Sequence, residues 1–210
     1  MPALPLAQRN GQPAEMPFDA MSDRSDEELL ADYAAGRAEA ARALTARLAP
    51  RVFAHATRML GGDRAEAEDV TQEALLKLWR IAPDWRAGEA QVSTWLYRVT
   101  ANLCIDRMRR RRGGPALEAI PEPEDESPSA LERMQHHARA EALQAALSQL
   151  PDRQRQAVIL RHIEGLSNPE IAGIMDIGPR AVESLTARGK RALEALLCGQ
   201  REALGYQDDD

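Results

Sequence analysis

The chain is poor in aromatic residues, with Phe, Trp and Tyr at 4% of its 210 positions. Sheets and barrels draw on aromatic and β-branched side chains, so this shortage argues against them. Cysteine is scarce too. Cys104 and Cys198 lie far apart without metal-ligand spacing, and read as two reduced thiols rather than a disulfide or a zinc site. No apolar run reaches the ~20 residues needed to cross a bilayer. The first residues carry Pro2, Pro5, Pro13 and Pro17, without the charged start and apolar stretch of a signal peptide. A cytoplasmic protein without membrane insertion is expected. His55, His136, His137 and His162 are scattered, and there is no glycine-rich phosphate loop or metal motif. The sequence therefore predicts no catalytic residues, no metal and no cofactor. An excess of basic charge is also missing, since the formal net charge is −6. Proteins that hold DNA alone are usually basic, because phosphate neutralisation supplies most of their affinity. The balance leaves a chain with segregated charge, or one that meets DNA only beside a partner.

What is abundant is Ala, Leu, Arg and Glu, the composition of small helical bundles. The order of segments predicts an all-α protein of two small helical domains. Residues 1–24 are Pro-, Gln- and Ala-rich without helical period and read as a disordered tail, with Met16 and Met21 as alternative starts. A first domain spans 25–112. Ser25 opens it with a capping-box pattern, and Leu44, Leu48, Val52, Phe53 and Met59 keep helical spacing until Gly61 and Gly62. Asp63 starts another helix, in which Val70, Ala74 and Leu78 face inward and Pro83 ends the run. A loop follows to about Val92, and a further helix runs from about Ser93 to Arg111. Residues 113–130 are an acidic, proline-rich linker, able to separate domains by tens of ångströms at ~3.3 Å per extended residue. A second domain spans 131–198, and 199–210 is an acidic tail.

The clearest local signal is LSNPEIAGIMDIGPRAVESL, from Leu166 to Leu185. Ser167 and Glu170 form a capping box, Asp176 to Gly178 break the helix, and Pro179 suits the first position of the next. This is a helix-turn-helix, whose second helix normally enters the DNA major groove. On that helix Val182, Leu185, Thr186, Gly189 and Leu193 face inward, leaving Arg180, Glu183, Ser184, Ala187 and Arg191 outward with Arg188 at the edge. Arg can grip guanine or phosphate, Glu can accept from cytosine, and Ser can reach either. Ahead of the linker, Arg107 to Arg112 hold five arginines in six positions. Cations suit a helix C-terminus, but this number exceeds what capping needs and points to a polyanion.

The front half separates this chain from the many other proteins with a helix-turn-helix. AEDVTQEALLKLWR (Ala67 to Arg80) and STWLYRVTANLCIDR (Ser93 to Arg107) resemble the second conserved region of bacterial sigma factors. LPDRQRQAVILR (Leu150 to Arg161), with the helix-turn-helix, resembles their fourth region. With no separate third domain between them, the chain resembles an extracytoplasmic-function, group-four sigma factor over about Asp26 to Leu197.

The resemblance implies partners and roles. The partners are core RNA polymerase (clamp helices of the largest subunit, flap of the second largest), promoter DNA and an anti-sigma factor. Asp69, Gln72, Glu73, Leu76 and Arg80 match the surface that docks on the clamp helices; residue pattern alone fits a solvated helix face equally well. Arg98, Asn102, Arg107, Arg109 and Arg110 match the part that captures the melted minus-ten element, with the loop from Ala87 to Val92 as a base pocket. Trp95 fits a core position better than a stacking platform. Arg161, Arg180, Glu183, Ser184, Arg188 and Arg191 fall where relatives meet the minus-thirty-five element, although Glu183 and Leu185 stand where many carry basic residues. The implied function is an alternative sigma factor, responsive to stress and under anti-sigma control. A stand-alone helix-turn-helix regulator would leave the front motifs unexplained, and a sigma mimic that sequesters an anti-sigma factor would have no need for the arginine run. Cys104, on an apolar helix face, reads as a packing residue rather than a redox sensor.

Overall fold

The computed structural model describes residues 23–112 and 130–198, the side chains of 112 and 130–136 excepted. The expected tails, nearly all of the linker, and the side chain of His136 lie outside the described residues. All regular structure within them is helical. Four helices form the front half: α1 (Asp26–Ala34), α2 (Ala38–Met59), α3 (Arg64–Ile81) and α4 (Val92–Arg112). Four form the back half: α5 (Ala130–Gln149), α6 (Asp152–Val158), α7 (Asn168–Met175) and α8 (Pro179–Cys198). A short 3₁₀ turn over Ala82–Asp84 carries Pro83 past the end of α3.

Each boundary follows from local chemistry. Ser25 caps α1: its Oγ accepts from the Glu28 N–H at 3.2 Å, and Glu28 accepts from the Ser25 N–H at 2.8 Å. Asp63 caps α3 by accepting from the Glu66 N–H at 2.9 Å. The positive φ angles of Gly61 and Gly62, 74° and 94°, turn the chain between α2 and α3. At the start of α7, Ser167 donates from N–H and from Oγ to the Glu170 carboxylate, at 2.7 and 2.6 Å. The turn to α8 passes through Asp176 at φ 52°, a left-handed position filled by Asp rather than the following Gly178.

The core of the front half is aliphatic. Leu29, Leu30, Leu44, Leu78 and Leu96 are fully buried between α1, α2, α3 and α4. Trp95 is half-buried against this cluster, with the Trp85 ring edge-on at 6.0 Å. Cys104 is buried, and desolvation pushes its thiol up to about 12, against the weaker pull of Arg107. At that value the sulfur is a packing group rather than a nucleophile.

The two halves do not stand apart. A second core cluster joins Met59, Val70, Cys104 and Met108 of the front half to Leu147, Leu150, Val158 and Ile159 of the back half. A third places Tyr97 of α4 among Leu160, Ile171 and Ile174 of the back half. The linker's length permits wide separation, but the apolar faces of the halves are satisfied against each other. Arg155 binds the seam with polar bonds. Its buried guanidinium donates to Leu147 O, Ser148 O and Leu150 O at the end of α5, and to Met59 O of α2.

Candidate nucleic-acid interface

α3 presents its outer stripe to solvent. Asp69, Gln72 and Arg80 are exposed, and Leu76, at 53%, is the one large apolar side chain left exposed among the described residues. Beside the stripe, Pro50 and Phe53 of α2 and Thr71, Gln72 and Leu75 of α3 line an open groove of about 430 Å³. Pro50 lies inside α2, where a proline removes one backbone donor and crowds the carbonyl four residues before it.

Glu73 sits differently. It is half-buried, 3.3 Å from Arg107 of α4 and 3.4 Å from Lys77. Arg107 also lies 3.9 Å from Asp69 and donates to Glu66 O at 3.2 Å. The structure thus joins residues expected to face two partners, Asp69 and Glu73 for polymerase and Arg107 for the minus-ten strand, in one ion-pair network. Arg111 extends it to Asp63 and Glu66. Burial raises the Asp63 pKa, but the Glu66 N–H and Arg111 outweigh it and hold the carboxyl below its ordinary range.

The outer face of α4 carries Arg98, Asn102, Arg109 and Arg110, all exposed. Arg109 lies 4.0 Å from Asp106, a loose surface pair that leaves the guanidinium available. The preceding loop, from Ala87 to Gln91, is exposed throughout, and Gly88 takes φ 84° within it. Val92 closes the loop inside the core.

On α8 the expected division of faces appears in the packing. Val182 and Gly189 are buried, while Arg180, Glu183, Ser184, Arg188 and Arg191 are exposed. Ser184 accepts from Arg188 Nη2 at 2.9 Å, and Glu183 accepts from Asn168 of α7 at 3.4 Å. Arg161 is exposed in a wide π turn over Ile159–Ile163 that continues α6, donating to Leu166 O at 2.9 Å.

Three residues of consequence escaped the sequence patterns. His55 is fully buried, Arg155 nearly so, and Glu164 is tucked between the halves with its side chain 8% exposed. A histidine at an inward position of α2 was the one visible sign. The other two sit amid ordinary charged neighbours.

Two arginine-bearing helical faces thus stand exposed, one on a helix-turn-helix and one on a four-helix unit ahead of it. Residues 44–113 match the model of the sigma-70 region 2 family, and residues 140–193 match that of sigma-70, region 4. The chain is 34% identical over 180 residues to the ECF RNA polymerase sigma factor SigM of Mycobacterium tuberculosis strain H37Rv, covering 86% of this chain and 88% of that protein. It is 40% identical over 153 residues to SigE of Mycolicibacterium smegmatis, covering 71% of this chain and 58% of the relative's length. The solved structure of CnrH in complex with the cytosolic domain of CnrY is similar at 27% identity and a TM-score of 0.62, over 84% of this chain and 99% of that one. The chain belongs to the extracytoplasmic-function family of RNA polymerase sigma factors.

Proposed function

We propose that this chain is an alternative sigma factor that joins core RNA polymerase in the cytoplasm and directs it to a set of promoters, itself catalysing nothing. Residues 25–112 act as the region-two domain and 131–198 as the region-four domain. The α3 stripe of Asp69, Gln72, Glu73, Leu76 and Arg80 docks on the clamp helices. The outer face of α4, with Arg98, Asn102, Arg107, Arg109 and Arg110, holds the melted minus-ten strand. Arg161, Arg180, Glu183, Ser184, Arg188 and Arg191 meet the minus-thirty-five element. The observation that carries this reading is the occurrence of both sigma regions in order, each with its polar face bare. The family assignment supports control of this chain by an anti-sigma factor, and the similar CnrH is bound to another protein, the cytosolic domain of CnrY, in its solved structure.

In vitro transcription with core polymerase tests the function. Adding the chain should create start sites that core enzyme alone does not use, and tight operator binding without polymerase would favour a stand-alone regulator. Leu76 tests the docking face more cleanly than Asp69 or Glu73, because those two also hold Arg107. Leu76→Asp should weaken core binding at least about tenfold, the size of a lost interface anchor, with its melting curve unchanged.

A further inference from the structure

We infer that Glu183 selects a cytosine in the upstream promoter element, and that Asn168, across the turn on α7, is the positioning residue that aims its carboxylate. Both roles rest on the sigma-factor reading above and add to it the base that one position of the recognition helix demands.

The two acids of α8 sit differently. Glu194 lies 3.7 Å from Lys190, an ordinary pair one turn apart. Glu183 has no such cation. Among the described residues its one polar partner is the side chain of Asn168, whose Nδ2 donates to Oε1 at 3.4 Å. The nearby Arg188 turns to the Ser184 hydroxyl at 2.9 Å instead. Glu183 is exposed on the face that also bears Arg180, Ser184 and Arg188. An anion there is repelled by DNA phosphates, so it is tolerable on a DNA-reading face only where a donor on the duplex receives it.

Asn168 is held in place to aim it. It is half-buried at the first residue of α7, in the turn pinned by the Ser167–Glu170 box. Ile171, Ile174 and Met175 of α7 pack with Val182 of α8, which fixes the two helices against each other. A carboxylate only accepts, so the Asn168 amide must turn its NH2 group toward it. That bond occupies Oε1 and leaves Oε2 as an open acceptor. It stands at the fifth residue of α8, among the N-terminal positions of a recognition helix that reach base edges. The first helix of such a motif crosses the DNA backbone, where the second N–H of the amide suits a phosphate oxygen.

The major groove offers this acceptor one good match. Guanine presents acceptors only, and thymine an acceptor and a methyl group. Adenine sets its N6 donor beside the N7 acceptor, which a carboxylate repels. Cytosine presents the N4 donor alone.

The experiment uses holoenzyme assembled from core polymerase and the full chain. It selects from a duplex library randomised across both promoter elements, and the bound pool is sequenced. The parent should show one upstream position where cytosine is enriched about tenfold over each other base. Glu183→Gln should move that position to adenine on the same strand, because an amide matches N6 and N7 together. Glu183→Ala should flatten it. Asn168→Asp tests the positioning role. It keeps the shape and favours a helix start, but replaces the donor with a second carboxylate. Its melting temperature should hold, while the cytosine preference at that position alone falls by about fivefold or more, the lower end of one base contact.

A position that stays cytosine in Glu183→Gln overturns the assignment. So does a uniform rise in binding to every duplex with no base preference changed, or a full cytosine preference in Asn168→Asp. A parent holoenzyme that enriches both elements, with variants that select the same pool, leaves the sigma reading standing without the Glu183 contact. A parent chain that never joins core polymerase refutes that reading and the contact with it.

Discussion

Gly189 and Arg155 show what single residues contribute. Gly189 lies where α8 crosses α6, and an added Cβ would stand 2.5 Å from Val158 Cγ2 and 3.2 Å from Gln154 O. Alanine is the better helix former by about 1 kcal/mol, but overpacking costs about 1–3 kcal/mol, and the Gln154 carbonyl is backbone and cannot rotate away. Gly189→Ala should therefore destabilise, with a lower urea midpoint and an unchanged slope. Arg155 closes the end of α5 by donating to Leu147 O and Ser148 O in its last turn and to Leu150 O just beyond it. Arg155→Ala strips a charged donor from these carbonyls and from Met59 O, with Leu147 O keeping only the Leu150 N–H, and should cost about 2–4 kcal/mol in a denaturant titration. The inward face of α8 was legible because apolar and small residues recur there at helical spacing. Arg155 was not, because it sits among Arg153, Gln154 and Arg161 and only the meeting of chain segments decides which arginine goes inside.

At the scale of elements, the caps were the most legible features. The Ser167–Glu170 box depends on short-range geometry that the two intervening residues, Asn168 and Pro169, fix by themselves. The Ser167 hydroxyl, then its N–H, hold the Glu170 carboxyl below its ordinary value of 4.5. A carboxylate depressed in this way contributes stability above its unfolded value, and loses it as pH falls through the lower folded value. Glu170→Gln should cost about 0.5–1 kcal/mol at neutral pH. The difference from the parent should shrink below pH 4.5, as paired melting curves across pH would show. The π turn over Ile159–Ile163 was not legible. Its residues carry an ordinary apolar helical pattern, and the extra residue that swings Glu164 toward the front half has no compositional mark.

For the whole molecule, the sequence showed two blocks and a tether but not how the blocks meet. Leu147, Leu150 and Ile159 already read as inward positions of the back half alone, so nothing marked them as residues of a common interior. Because one cluster draws on both halves, thermal unfolding should be a single transition, with calorimetric and van't Hoff enthalpies equal. Two separated endotherms would show that the halves melt independently. The shared interior also bears on turnover. A chain pulled open with nothing to cover it bares Tyr97, Met108 and Ile159 to water, the kind of oily surface that chaperones and proteases capture. Molecules that open without engaging polymerase should therefore be the first cleared from the cell.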